Sequence, residues 1–240
     1  MQTMLIKWTT LIAFTLMLTP ISEALADQPD AARLESVRAE LIDLARRDRE
    51  AREAMVGAWE LDGEGGFKID KDIWEQVEAI DAESLAHLKS LVKEMGWPTI
   101  AMVGEDGSAA AWLLVQHAMD DLGFMAGVLE LMEPMLVTEQ VSPKHYALLK
   151  DRVLLAQGEP QIYGTQFQDD GTGVLRPQAT EDWEGVETRR LAMGLPPLAE
   201  YAESISETYG QQYDLTPLPL EESRWPQSQT SEADDKQEEG

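Results

Sequence analysis

Several residues with chemical potential stand in this sequence where the surrounding pattern reserves the position for an apolar side chain. Gln116 and His117 interrupt Trp112-Leu-Leu-Val115 and Ala118-Met119, a stretch apolar on every side that reads as a central helix. Polar side chains there enter the core or line a pocket, and must find hydrogen-bond partners. A neutral histidine both donates and accepts, and it titrates near neutral pH, which suits His117 to general-base work. The same residue could serve as a satisfied core histidine. On an earlier segment the stripe Leu34, Val37, Leu41 and Leu44 continues to Asp48, Ala51 and Met55, so Asp48 occupies an apolar position. Arg52 lies four residues on, where it can pair with the acid. A buried acid needs such a partner because an unpaired one is costly. Alternatively the stripe drifts, and Asp48 is exposed among Arg46, Arg47 and Arg49.

Two further segments carry polar groups beside apolar faces. Asp151-Arg152 follows Tyr146-Ala-Leu-Leu149. Strand alternation would put Gln161, Tyr163 and Thr165 on one face, with Ile162, Gly164 and Gln166 on the other. If Gln116, His117, Asp151, Arg152, Tyr163 and Gln166 converge, they form a site with both signs of charge, suited to a small polar ligand or a peptide. Catalysis would then rest on His117 as general base, oriented by Asp151 or by Asp48. Scattered, each of these residues is only a structural hydrogen bond.

Other chemistries lack their residues. The three histidines, His87, His117 and His145, fall on three expected helices without metal-ligand spacing, so no metal and no cofactor is expected. Gly104-Glu-Asp-Gly107 is acidic and lacks the lysine of a phosphate loop. There is no Gly-x-Ser-x-Gly elbow and no cysteine. Asp169-Asp-Gly-Thr-Gly173 lacks the ligand alternation of a calcium loop and reads as a turn.

The elements that must position these groups are mostly helices. Residues 27–58 form the clearest, with Pro29 near its first turn and Gly57 near its end. After a break at Gly63-Glu-Gly-Gly66, a short helix is expected around 72–79, and a second from Asp81, its N-cap, to Met95. Ile100–Val103 reads as a brief extended piece, Glu105–Ser108 as a turn, and 109–119 as the apolar helix. Asp120 or Asp121 caps another helix running to Glu133, and Ser142-Pro143 starts one over 144–157. Residues 161–168 and 173–178 flank the Asp-Asp-Gly-Thr turn as a β-hairpin, and helices over 183–193 and 197–209 complete the body. The expectation is a mainly α, compact multi-helix domain with one small β-hairpin.

Charge and the two ends bound the setting. The chain of 240 residues carries a formal charge of −26, which argues against nucleic acid, where lysine and arginine must neutralise phosphates, and against anionic membranes. Residues 1–26 read as a cleavable signal peptide: Lys7, an apolar run over 11–18, and Ala24-Leu25-Ala26. That run is about half of the roughly 20 residues a membrane-spanning helix needs. Export to the periplasm or beyond is expected, with a single helical domain over 27–213. Residues 214–240, with eight acids against Arg224 and Lys236, are expected to be a disordered acidic tail.

In order along the chain, Gly96-Trp-Pro-Thr99, Ala111-Trp-Leu-Leu-Val-Gln-His-Ala118 with Asp120, Ala147-Leu-Leu-Lys-Asp-Arg-Val153, Gln161-Ile-Tyr-Gly-Thr-Gln166 and Arg189-Arg190 with Gly194-Leu195 resemble the bacterial domain-of-unknown-function family 6624. The resemblance spans about residues 48–201. It implies that the polar positions above belong to the family's signature, and it implies no mechanism. Three functions stay open: an exported binding module with a polar pocket around His117 and Gln161–Gln166, a metal-independent hydrolase or lyase using His117, and a scaffold whose polar cluster fixes the fold.

Overall fold

The computed structural model describes residues 30–58, 60–61, 67–68 and 70–223; the expected signal peptide, the Gly63–Gly66 break and residues 224–240 lie outside them. The first helix, α1 (Ala31–Gly57), begins where the Asp30 side chain accepts from the Arg33 N–H, and its stripe Val37, Leu41, Leu44 is buried as the spacing predicts. A two-residue ribbon, β1 (Glu60–Leu61) with β2 (Phe67–Lys68), leads to α2 (Lys71–Met95). This is one continuous helix where two were expected. No glycine or proline interrupts it, and Val77, Ile80, Ser84, Leu88 and Leu91 form an unbroken buried stripe, so Asp81 is an interior helical residue and not a cap.

The next helix, α3 (Ile100–Gln116), starts well before the expected 109–119 and takes in the stretch read as extended chain and turn. The Thr99 carbonyl already accepts from the Met102 and Val103 N–H groups. Gly104, at φ 73°, makes the kink that joins this first turn to the rest, a conformation that penalises any residue with a Cβ. After it come α4 (Leu122–Met132), capped by Asp121, and α5 (Pro143–Ala156), capped by Ser142. The Asp-Asp-Gly-Thr turn does join an antiparallel pair, β3 (Phe167–Asp169) and β4 (Val174–Pro177), with Asp169 opposite Leu175. The strands are shorter than expected, and residues 161–166 are a loop. A single-turn 3-10 segment precedes α6 (Val186–Ala192); α7 (Leu198–Tyr209) and β5 (Gln212–Tyr213) follow, and β5 pairs parallel to β4.

Residues 214–218, expected to be part of a disordered tail, are held in place. The Asp214 N–H donates to the Leu175 carbonyl, the Leu218 N–H to that of Pro177, and Leu218 is buried. An apolar anchor and β4's free carbonyls hold residues 214–218 against the sheet. The fold is mainly α: α1, α2 and α3 pack on one another, and α5 packs on both α3 and α4, with a small three-stranded sheet in addition.

The core divides in two at one place. Its larger part joins Val37, Leu41 and Leu44 of α1 to Leu88 and Leu91 of α2, Leu114 and Val115 of α3, and the inner faces of α4 and α5. A smaller part holds Ala51, Val77 and Ile80, with Met55 against them. On α1 the gap falls between Ala45 and Ala51, and on α2 between Ile80 and Leu85. Asp48 and Asp81 stand in that gap.

Candidate functional site

Three helices meet at the break in the core. Asp48 continues the buried stripe of α1 and is 2% exposed, so the apolar position identified from the pattern is occupied by a buried acid. His117 follows the last residue of α3, its N–H donating to the Leu114 carbonyl and that of Ala118 to the Val115 carbonyl as the helix ends. That placement brings His117 Nδ1 to 2.9 Å from Asp48 Oδ1. Arg52, one turn beyond Asp48, reaches all three of the other residues: its Nε lies 3.1 Å from Asp48 Oδ1 and 3.0 Å from His117 Nδ1. Its Nη2 donates to Asp81 Oδ1 on α2 at 2.6 Å. The side chains of Arg52, Asp81 and His117 are 26%, 25% and 22% exposed. The cluster thus has a dry floor, Asp48, and a rim of three groups open to solvent.

Its hydrogen bonds are permissive at the histidine. Nδ1 faces both an acceptor, Asp48 Oδ1, and a donor, Arg52 Nε. A protonated Nδ1 donates to the carboxylate, and a bare one accepts from the guanidinium, so either form keeps a partner. Burial pushes the Asp48 carboxyl up, but His117 and Arg52 outweigh it and the net displacement is downward. Asp81 moves the other way, raised by burial with Arg52 only partly opposing. Asp48 Oδ2 is buried with no hydrogen-bond partner among the described residues, as is the hydroxyl of Ser84, one turn from Asp81 on α2. Asp48, Asp81 and His117 each present a ligand atom within 4.8 Å of the others, a set able to hold a cation. In the structure the Arg52 guanidinium touches all three.

Asp151, expected near His117, is occupied elsewhere. It is fully buried and accepts from the Ile162, Tyr163 and Thr165 N–H groups at 2.8, 2.9 and 3.0 Å and from Thr165 Oγ1 at 2.9 Å. Burial raises its carboxyl and these donors oppose the rise. Both of its oxygens are occupied by the 161–166 loop, and the carboxylate beside His117 is Asp48. Carbonyls of the loop are taken from the opposite side. Buried Arg190 donates to the Tyr163 and Gly164 carbonyls, Arg189 to that of Ile162, and the Tyr201 hydroxyl to that of Thr165. Gln161, also fully buried, donates to the Gln166 and Gln178 carbonyls and accepts from the Gln166 N–H. Strand alternation therefore does not describe this segment. A loop buried this deeply must have its backbone satisfied by side chains, and here a carboxylate takes the N–H groups while guanidinium and hydroxyl groups take the carbonyls.

The sequence-predicted residues thus fall into two groups. Asp48, Arg52 and His117 meet at the first cluster. Tyr163, half-buried, and Gln166, whose side chain donates to Thr165 Oγ1, belong to the clamped loop with Asp151. Gln116 is buried in the last turn of α3. Arg152 is half-buried; burial lowers its pKa first, Arg52 repels it, and Tyr201 and Tyr209 favour its charge, which places it in electrostatic reach of both groups. Among the described residues no hydrogen bond joins the Asp48 cluster to Gln161–Gln166, so the single convergent pocket is not formed. Pattern reading missed Asp81 because it split α2. It also missed the roles of Arg190, Thr165 and Tyr201, which depend on contacts distant in sequence. Two surface grooves, of about 350 Å³ beside Arg47, Ala51 and Glu83 and about 540 Å³ beside Trp183, Leu198 and Pro217, are lined by none of the four cluster residues.

Comparison with curated proteins and with solved structures returns no match. A family model does match, over residues 35–214, a span that contains both clusters. The chain belongs to the family of unknown function DUF6624.

Proposed function

We propose that this protein is an exported binding module whose ligand site is the Asp48–Arg52–Asp81–His117 cluster. The observation that carries the reading is Asp48: a buried carboxylate with one oxygen shared by Arg52 and His117 and the other without a partner among the described residues. An unsatisfied buried acceptor costs about 1–3 kcal/mol, a cost a ligand donor or cation can relieve. The three remaining groups are partly exposed, so a ligand can reach them. The 161–166 loop is the frame beside this site and not part of its lining, because its polar groups are already matched. The ligand class is a small polar molecule, a polar group of a peptide, or an ion, met after residues 1–26 direct export; the acidity of the chain disfavours nucleic acid and anionic membrane.

A thermal-shift screen of the purified protein against small polar metabolites, peptides and metal salts tests this. At a hundredfold excess over Kd a ligand adds about 2.7 kcal/mol, or roughly 5–10 °C for a chain of this size. The hit is expected to vanish in His117→Ala and persist in Gln166→Ala. A hit indifferent to His117→Ala contradicts the assignment.

The 2.9 Å contact between Asp48 and His117 also favours a second reading, a hydrolase or lyase in which Asp48 orients His117 as general base. Under that reading His117→Ala abolishes turnover but leaves substrate binding largely intact.

A further inference from the structure

Two carboxylates and one imidazole face each other across the break in the core, and the positive group among them is a single guanidinium. With a neutral imidazole, Asp48 and Asp81 bring two negative charges and Arg52 returns one. A divalent ion in place of Arg52 would balance the two carboxylates. The donor atoms, two carboxylate oxygens and an imidazole nitrogen within 4.8 Å of one another, are those that first-row ions such as Mn²⁺ and Zn²⁺ accept, the imidazole being poorly suited to Ca²⁺ or Mg²⁺. A second observation points to a ligand independently. Asp48 is 98% removed from solvent, is aimed into the cluster, and has an oxygen with no hydrogen-bond partner among the described residues.

We infer that the ligand of this site is a divalent first-row metal ion, held by Asp48, Asp81 and His117 in exchange for the Arg52 guanidinium. The inference rests on the cluster being a binding site and names its ligand. Arg52 can leave because its side chain is already 26% exposed and its long stem can carry the charged head into water. It therefore acts as the resident cation, neutralising the acids until the metal arrives. Three protein ligands leave coordination positions free, as in zinc sites that go on to bind water or a substrate. Asp48, at the dry end, is the anchor, and Asp81 and His117 at the rim complete the set.

The test is calorimetric titration of the full chain with MnCl₂ and with ZnSO₄, on wild type, Arg52→Gln and Asp81→Asn. Far-UV circular dichroism confirms that each variant is folded. One equivalent of metal is expected on wild type. Arg52→Gln should bind it at least tenfold tighter, about 1.4 kcal/mol, because the competing cation is gone. Asp81→Asn should weaken it by more than the roughly 10- to 100-fold that losing an outer-shell partner costs. Mn²⁺ should broaden the ring signals of His117 before those of His87 and His145. Metal binding indifferent to Asp81→Asn is adventitious attachment to an acidic chain and overturns the inference, as does its absence in both wild type and Arg52→Gln. If metal is absent but the ligand screen gives a hit lost in His117→Ala, the binding site stands and only its ligand was misassigned. If both fail, the site falls with the metal.

Discussion

Replacing Asp151 by asparagine probes the clamp that holds the 161–166 loop. The two carboxylate oxygens divide the donors: Oδ1 accepts from the Ile162 and Tyr163 N–H groups, and Oδ2 from the Thr165 N–H and hydroxyl. Every group facing Asp151 here is a donor, and a carboxylate is an acceptor only. In asparagine one oxygen becomes NH₂, so in either orientation the amide hydrogens confront at least one backbone N–H. A hydrogen bond to a charged group contributes about 1.5–3 kcal/mol, and a buried donor left without a partner costs about 1–3 kcal/mol. Together they place Asp151→Asn at about 3–5 kcal/mol, a large share of the roughly 5–15 kcal/mol available to a domain. Urea unfolding reads this as a lower midpoint at unchanged m-value. Hydrogen exchange localises it, with the amides of Ile162, Tyr163 and Thr165 losing protection before those of α1. A loss under about 1 kcal/mol, with those amides as protected as in wild type, would refute the argument that a carboxylate organises the loop.

Three smaller perturbations follow from the same geometry. His145 stacks on Trp112 with ring centroids 4.0 Å apart; burial, aided by Lys144, pushes its pKa down to about 4. The unfolded chain therefore takes up a proton near pH 6.5 that the native state refuses, so this contribution is complete above pH 6.5 and is lost as pH falls toward 4. At 1.36 kcal/mol per pH unit it amounts to at most about 3 kcal/mol. His145→Phe should flatten the difference in unfolding free energy between pH 7.5 and 5; a variant as pH-sensitive as wild type contradicts this. Gly164 sits at φ +65°, where a Cβ would meet Leu198 Cδ1 at 3.3 Å and Val186 Cγ2 at 3.5 Å, so Gly164→Ala should cost about 1–2 kcal/mol from the left-handed backbone alone. Unchanged thermal stability would sink that expectation. Arg47 and Glu83 tie α1 to α2 through a bidentate pair whose side chains are 36% and 51% exposed, and Arg47→Ala should cost under about 1 kcal/mol; a larger loss would mean that the pair is better shielded than its exposure implies.

What could be read from the sequence was what local periodicity encodes. Asp48 stood out because α1 repeats its apolar stripe faithfully, and Arg52 fell at its pairing distance. His117 stood out because the stretch 109–119 is apolar on every side around it. The turn at Asp169–Gly173 was legible because its residue types favour tight turns. Asp81 was not, since an acid after Ile80 resembles a helix start, and only the continuous packing of Val77, Ile80, Ser84 and Leu88 shows that the helix runs through it. Pro98 and Gly104 made Ile100–Val103 look extended, although one turn of helix fits between them. The loop at 161–166 carries alternating polar residues that imitate a strand. Its true form depends on Asp151, Arg189, Arg190 and Tyr201 reaching it from α5, α6 and α7, and no pattern within the loop records those partners. The break between the two parts of the core is likewise a tertiary fact, produced by α1 and α2 placing their acids at the same level.

The central claim is that this break is a binding site and not a closed structural network, and the two differ in where the free energy of His117 lies. The direct measurement is the melting temperature of wild type and His117→Ala, each with and without members of the ligand panel. The account predicts that His117→Ala alone loses no more than about 1 kcal/mol, the size of one hydrogen bond, while ligand-induced stabilisation present in wild type disappears. It is contradicted if no ligand raises the wild-type melting temperature while His117→Ala alone loses about 3 kcal/mol or more, the penalty expected when one partner of a buried charged network is removed.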